Sequence, residues 1–390
     1  MEDVVIVSGV RTPIGRFQGA YANLPASDLG AIVIKAAVER AGIKPADVDH
    51  VILGCVGQVA EDGYISRHAA VKAGMPIEAP ALTVNRICGS GLEAVNTAAR
   101  FIQTGDASVV VAGGTENMTM MPYYLRQARA GYRMGHGSLE DGILHLLGDP
   151  FSKSHMGITA ENLAEKYEVS REAQDEVAVR SQERAAAAIK AGRFKDEIVP
   201  VEVKQGKETV TIDTDEHPRM TSMEALAKLR PAFKEGGMVT AGNASGINDG
   251  AAALVVMSAT RARELGVRPR LRLVARAEAG VEPSIMGSGP IPAVQKALAK
   301  ANLSIDQIDL VELNEAFASV AAACSTVLHL DPEKTNVNGG AIALGHPLGA
   351  TGAILTVKLM HEMERRGSKY GLVSLCIGGG QGIASIFERV

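Results

Sequence analysis

Four cysteines, Cys55, Cys88, Cys324 and Cys376, are spread through a 390-residue chain without a Cys-x-x-Cys pair. That spacing suits neither a disulfide framework nor a zinc site, so a cysteine that matters here matters as a thiol. Cys88 stands in Asn85-Arg86-Ile87-Cys88-Gly89-Ser90-Gly91-Leu92-Glu93-Ala94, where a strand or loop turns into a helix. A helix start presents unpaired N–H groups and partial positive charge, which favour thiolate over thiol. On that ground Cys88 is expected to be a reactive, nucleophilic thiol. A small buried cysteine packed beside glycines accounts for the same letters. Gly89 to Ala94 also fits G-x-G-x-x-A, the dinucleotide fingerprint. The context is wrong for it, because Asn85 and Arg86 interrupt the preceding strand and no acidic residue ends the following one.

Three later segments offer partners for such a thiol. In Gly345-His346-Pro347-Leu348-Gly349-Ala350 a histidine is held between Gly and Pro on a stiff loop before a helix, which suits a base aimed at a cleft, although a solvent-facing turn histidine reads the same way. In Cys376-Ile377-Gly378-Gly379-Gly380-Gln381-Gly382 three glycines follow a strand and leave backbone N–H groups free to approach a ligand, as an oxyanion hole requires. A plain hairpin turn explains those glycines but not the cysteine at the strand end. Asn314-Glu315-Ala316-Phe317 follows the strand Val311-Glu312-Leu313, with Asn314 either a helix cap or a polar group in the cleft. The other histidines, His50, His68, His217, His329 and His361, read as surface or boundary residues.

The elements that must position these groups are those of an α/β protein written twice. Val4–Val7 reads as a strand, and Asp28–Ala41 as a helix capped by Ser27 and ended by Gly42. Next come the strand Val51–Leu53, the small-residue helix Gly89–Thr104 and the strand Val109–Ala112 running into Gly113-Gly114. Leu271–Ala275, Pro290–Ala301, the segment Ala301–Val311 (parallel to Ala41–Val51), Ala350–Arg366 and Gly371–Cys376 repeat that order. Two such units packed helix against helix would bring their loops to one cleft. From Asn117 to Asn248 the pattern breaks into an insertion with a long helix from Arg171 capped by Ser170, suited to a substrate lid or an oligomerisation arm.

Composition bounds the partners. Lys plus Arg number 40 against 44 Asp plus Glu, a formal charge of −4, without the basic excess that nucleic-acid binding needs. No apolar run approaches the roughly 18 residues that span a bilayer. Met1-Glu2-Asp3 resembles neither a signal nor a transit peptide and the last residues are not the peroxisomal tripeptide, so the expectation is a cytoplasmic protein.

Together the four motifs resemble the thiolase family: Asn-x-x-Cys-x-Ser-Gly, Asn-Glu-Ala-Phe, Gly-His-Pro-x-Gly and Cys-x-Gly-Gly-Gly, with a likeness running from Val4 to the end. The resemblance implies duplicated βαβαβ halves forming a five-layered αβαβα core: residues 1–118 with 249–270, an inserted loop domain at 119–248, and 271–390. It implies that Cys88 takes up the acyl group, that His346 activates it and that Cys376 moves the proton of the second substrate. Asn314 would hold a water that forms one oxyanion hole with His346, and the N–H groups of Cys88 and Gly378 would form the other. His155 and Met156, in Ser154-His155-Met156-Gly157, would narrow the acyl pocket as in acetoacetyl-CoA-type members, with Met286 as a further wall. Arg219, Phe233, Ala241 and Ser245 match positions lining a coenzyme A site, Arg219 near its phosphates, and Ala316 and Phe317 belong to the substrate side of their motif. Tyr123, Tyr124 and His136 fall where the likeness is weakest, and their roles stay open.

The implied reaction is reversible condensation of two acetyl-CoA to acetoacetyl-CoA and CoA, with coenzyme A thioesters as substrates and no metal or other cofactor. Family habit implies a homotetramer or homodimer, with no nucleic-acid or membrane partner. Rivals are a broader 3-oxoacyl-CoA thiolase of fatty-acid breakdown, a carrier-protein-dependent condensing enzyme, against which Cys376 speaks, and a non-catalytic lipid-binding relative, against which the intact Cys88, His346 and Cys376 speak.

Overall fold

The computed structural model describes residues 2–390. The first half comprises β1 (Val4–Arg11), α1 (Ala26–Ala41), β2 (His50–Gly54), α2 (Ile65–Lys72), β3 (Ala81–Val84), α3 (Ser90–Thr104) and β4 (Val109–Asn117). The chain then leaves for the insertion, which holds α4 (Met156–Lys166), α5 (Arg171–Lys190) and the hairpin of β5 (Val201–Gln205) and β6 (Glu208–Ile212). It returns through β7 (Asn248–Ser258) and α6 (Ala259–Leu265). The second half runs β8 (Leu271–Gly280), α7 (Pro290–Ala301), β9 (Leu310–Leu313), α8 (Ala318–Leu328), α9 (Thr351–Arg366), β10 (Tyr370–Ile377) and β11 (Gln381–Arg389).

The repeat holds strand by strand. The first half is ordered β3-β2-β4-β7-β1 and the second β9-β10-β11-β8, with a parallel bridge from Val311 to Thr335 where a fifth strand would pair. The local devices repeat too. Asp49 accepts the N–H groups of Ser108 and Val109 at 2.8 and 2.9 Å, and Asp309 accepts those of Lys369 and Tyr370 at the same two distances. Each carboxylate thereby sets the start of the strand beside its own. Gly42 and Asn302 end the matching helices α1 and α7 in the left-handed region.

Helices α1 and α2 cover one outer face and α7 and α8 the other, while α3 and α9 lie between and touch strands of both halves. That middle layer must be apolar on most sides, and α3 buries Leu92, Ala94, Val95, Ala98, Ala99 and Ile102. The halves also share strand pairing, because β1 meets β8 antiparallel at Val5–Arg272 and Ile6–Leu271. Among the described residues no helix is long and apolar enough to cross a membrane.

Two local expectations are corrected. Ser27 lies inside α1, and Pro25 occupies the cap position, its fixed φ of −54° already suited to a helix start. Gly113 and Gly114 do not end their strand, since β4 continues to Asn117. They are glycines because other backbones lie against them. A Cβ on Gly113 would stand 2.0 Å from the Ala252 carbonyl oxygen, and one on Gly114 would stand 2.0 Å from that of Gly349.

Gly349 belongs to the His346 loop, so Gly114 determines how closely that loop settles on β4. Gly114→Ala meets backbone, which no rotamer change relieves, and is expected to destabilise the protein by about 3 kcal/mol or more. A thermal melt unchanged from wild type would contradict this close approach.

Candidate active site

Cys88 sits on a short loop between β3 and α3 that its motif neighbours hold in shape. Asn85 Oδ1 accepts the Ile87 N–H at 3.0 Å, and Ser90 Oγ accepts the Arg86 N–H at 2.8 Å while donating to the Ile87 carbonyl at 2.6 Å. Held this way, Ile87 takes φ 44°, a conformation that costs a β-branched residue of order 1–3 kcal/mol. The strained turn puts Cys88 just ahead of α3, whose cap is Gly89. Two backbone N–H groups, those of Gly378 and of Cys88 itself, reach the sulfur. They favour the thiolate, but burial outweighs them and pushes the thiol up to about 11. At this helix start desolvation thus exceeds the help of the local N–H groups, which still act in the direction that favours the thiolate.

His346 is 4% exposed, and its environment selects one tautomer. Thr351 Oγ1 donates its only proton to the Pro347 carbonyl at 2.8 Å, so it accepts from His346 Nδ1–H at 2.7 Å. Nε2 is left as the acceptor and lies 3.3 Å from Asn314 Nδ2. Burial pushes this imidazole down to about 4, which keeps it neutral. Its backbone is fixed by Asn248, whose Oδ1 accepts the His346 N–H at 3.0 Å while Nδ2 donates to the Gly15 carbonyl at 3.0 Å. Asn314 is not a helix cap, since α8 begins at Ala318 after Phe317. Its Oδ1 is buried and unpartnered.

The three-glycine segment is indeed a hairpin turn, joining β10 to β11 with Cys376 paired to Gly382, and the same turn delivers the Gly378 N–H to Cys88. Cys376 is 0% exposed, and its thiol is raised by burial first and by the nearness of Cys88 second. A Cβ on Gly378 would lie 2.7 Å from Met156 Cε, so glycine there permits contact with the insertion.

One cavity of about 390 Å³ collects these parts. Cys88, His346 and Gly378 line it, with Cys376 close to Cys88 and Asn314 bonded to His346 although neither is part of the lining. Every residue read from the sequence as substrate-side also lines it: His155, Met156, Arg219, Phe233, Ala241, Ser245, Met286, Ala316 and Phe317. His155 caps α4, its Nδ1 accepting the Gly157 N–H at 3.0 Å, and stacks on Phe233 with centroids 4.6 Å apart. Phe233 meets Phe317 edge-on at 6.1 Å, tying the insertion to the second half.

The architecture of these halves decides the family. Residues 4–260 match the model of the thiolase N-terminal domain and residues 267–389 that of the thiolase C-terminal domain. The chain belongs to the thiolase family. An acetyl-CoA acetyltransferase of Pseudomonas aeruginosa is 53% identical over 392 residues, covering 100% of both chains. The crystal structure of the Bacillus anthracis acetyl-CoA acetyltransferase matches with a TM-score of 0.99 at 48% identity, covering 100% of this chain and 99% of that one. Human mitochondrial 3-ketoacyl-CoA thiolase in complex with CoA matches with a TM-score of 0.96 at 45% identity, covering 100% and 98%. This thiolase thus has the five-layered fold its duplicated sequence implies.

In this thiolase several cavity residues escaped the sequence. His217, read as a surface or boundary histidine, lines the cavity, and burial pushes it down to about 4. The ring lies against Gly246, where a Cβ would stand 2.3 Å from His217 Cε1. Ile87 and Leu348 line the cavity from within motifs already quoted, whereas Met118 and Leu147 carried no signal beyond being apolar. Tyr123 and His136 are exposed, and Tyr124 packs edge-on with His145; none of the three lines the cavity.

A thiol raised to about 11 is largely protonated at neutral pH and gains thiolate steadily with alkali. Alkylation of Cys88 by iodoacetamide, followed by peptide mass, is expected to rise about tenfold per pH unit from 7 to 10. A plateau reached below pH 8 would show a preformed thiolate and refute this state.

Proposed function

We propose that this thiolase is an acetyl-CoA C-acetyltransferase, condensing two acetyl-CoA to acetoacetyl-CoA and free CoA through an acyl group on Cys88. The carrying observation is a pair of thiols at the cavity, Cys88 in the wall and Cys376 close to it, beside a neutral histidine with its Nε2 unprotonated. Cys88 Sγ attacks the thioester carbon as its proton passes to His346 Nε2. The C–S bond to CoA breaks, and CoA leaves carrying that proton. Cys376 then gives its proton to the freed His346 Nε2 and, as a thiolate, removes a proton from the α-carbon of the second acetyl-CoA; that carbon attacks the acyl-enzyme, the bond to Cys88 breaks, and the Cys88 sulfur takes the proton held on His346. Charge develops first on the thioester oxygen and later on the enolate. The N–H groups of Cys88 and Gly378 are available to the first, and His346 with Asn314 to the second.

Arg219 and Ser245, with Phe233, Ala241 and His217, would receive the coenzyme A portion, while Met156 and Met286, 8% and 3% exposed, would limit the acyl group. The relatives named acetyl-CoA acetyltransferase, alike over the full chain, support the short acyl group. A broader 3-oxoacyl-CoA thiolase is the second reading, supported by the likeness to a 3-ketoacyl-CoA thiolase and by an apolar wall of Met118, Leu147 and Leu348.

In this reading residues 1–118 with 249–270 supply the nucleophile, 271–390 supply the bases, and 119–248 cover the substrate. We place the enzyme in the cytoplasm as a homotetramer or homodimer. The open edge strand β3, with Leu82 and Ile77 exposed, supports self-association.

Thiolysis measured from C4 to C12 3-oxoacyl-CoA is expected to fall at least about tenfold beyond C6, and a preference for C8 or longer would establish the broader reading. Cys376→Ser is expected to leave formation of the Cys88 acyl-enzyme, read by mass, within about threefold of wild type, while condensation falls by about 100-fold or more. Equal loss of both steps would contradict the separate roles of the two thiols.

A further inference from the structure

Arg11, at the end of β1, is 0% exposed and does not line the cavity, yet two carboxylates anchor it in the interior. Its Nε donates to Glu197 at 2.7 Å, and Nη1 and Nη2 donate to the two oxygens of Asp215 at 2.7 and 3.0 Å. The Phe194 ring lies 5.1 Å from its Cζ. Asp215 Oδ1 also accepts the Ile14 N–H at 2.8 Å, and neighbouring Glu216 accepts the N–H groups of Arg16 and Ala20 at 3.2 and 3.0 Å. Glu197, Asp215 and Glu216 all belong to the insertion, so the chain from Arg11 to Ala20 clamps it at two places.

The clamp lies immediately before a functional segment. His217 and Arg219, two and four residues beyond Asp215, line the cavity. On the upstream side Asp213 and Thr214 are exposed, so Asp215 is the first buried anchor after β6. Downstream, Arg219 is held by its N–H to Gln182 Oε1 at 2.9 Å and by Nη2 to the Ala241 carbonyl at 2.9 Å. A planar guanidinium meeting a carboxylate through two parallel bonds fixes direction as well as distance, which a lysine would not do.

We propose that the buried Arg11–Asp215 pair is a positioning device for the phosphate end of coenzyme A, acting by fixing the register of Asp215–Arg219 and hence the aim of Arg219. This rests on the reading that Arg219 meets the coenzyme A phosphates. It assigns to the end of β1 a part in substrate affinity and none in chemistry.

The test compares Asp215→Asn, which keeps the shape and removes the charge, in wild-type and Arg219→Ala backgrounds. Two substrates are used in each, acetoacetyl-CoA and acetoacetyl-pantetheine, which lacks the nucleotide phosphates. Asp215→Asn is expected to raise KM for the CoA substrate about fivefold or more, with kcat and the pantetheine KM within about twofold. In the Arg219→Ala background the same change is expected to add less than about twofold, since partners that act through one another are not additive. Equal losses for both substrates, or full additivity with Arg219→Ala, would overturn the proposal and leave the pair a structural one. If Asp215→Asn does not fold, Arg11→Lys, which keeps the charge and loses the paired bonds to Asp215, carries the same expectation and the same refutation. Wild-type turnover of the CoA substrate tests the enzymatic reading separately. An active wild type with no preference for CoA over pantetheine sinks only the positioning claim.

Discussion

Two helix starts touch backbone to backbone at the centre of the molecule, and the site depends on that contact. A Cβ on Gly91 would stand 2.7 Å from the Ala353 nitrogen, and a Cβ on Gly352 would stand 2.3 Å from the Leu92 nitrogen. Gly91 is the second residue of α3 and Gly352 the second residue of α9, so the contact is reciprocal across the duplication. It brings together the two loops that precede these helices, one carrying Cys88 and the other His346. Their first helical residues match as well. Ser90 braces the Cys88 loop through the Ile87 carbonyl, and Thr351 braces the His346 loop through the Pro347 carbonyl. Any larger residue at either glycine would separate the two halves at the point where their functional groups must meet.

Around that contact the protein keeps the surroundings of Cys88, His346 and Cys376 uncharged and supplies fixed dipoles there. Burial holds His346, His155 and His217 neutral and both cavity-end thiols protonated. The nearest buried carboxylate, Glu116 at the end of β4, accepts the N–H groups of Val56, Gly57 and Gly349 at 2.9, 2.8 and 2.8 Å. Those bonds tie the strand of one half to the His346 loop of the other, opposing the burial that raises this group. A reacting end without resting charge has little to neutralise before reaction. Charge that appears on an oxygen then meets N–H groups already aimed at the cavity end, without the cost of reorienting solvent.

Much of this was legible in the sequence because chemistry there is local. Cys88, His346, Cys376 and Asn314 lie in motifs whose glycines, prolines and polar neighbours are close in the chain, and the matching of Ala41–Val51 with Ala301–Val311 exposes the repeat. What was hidden depends on distant contact. His217 resembles a surface residue until the insertion folds over and presses it on Gly246. Gly113 and Gly114 resemble a strand end until Ala252 and Gly349 lie against them. The balance of effects on Cys88 is hidden for the same reason: the helix start can be read from sequence, whereas the extent of burial that outweighs it cannot.

The duplication also explains why one half bears the insertion. In the second half β10 passes to β11 through Gly378–Gly380, a turn of three residues. The equivalent connection in the first half, from β4 to β7, is the insertion itself. Both connections reach the same cavity, the turn as Gly378 and the insertion as Met156, Phe233 and their neighbours, and they touch where Met156 Cε meets the space a Gly378 side chain would fill. Lengthening the second connection instead would remove the N–H that the tight turn holds against Cys88. The symmetric core therefore tolerates growth at one of its two equivalent turns only, and the asymmetry of the site follows: one half can lend a short rigid donor, and the other can lend the walls that bind.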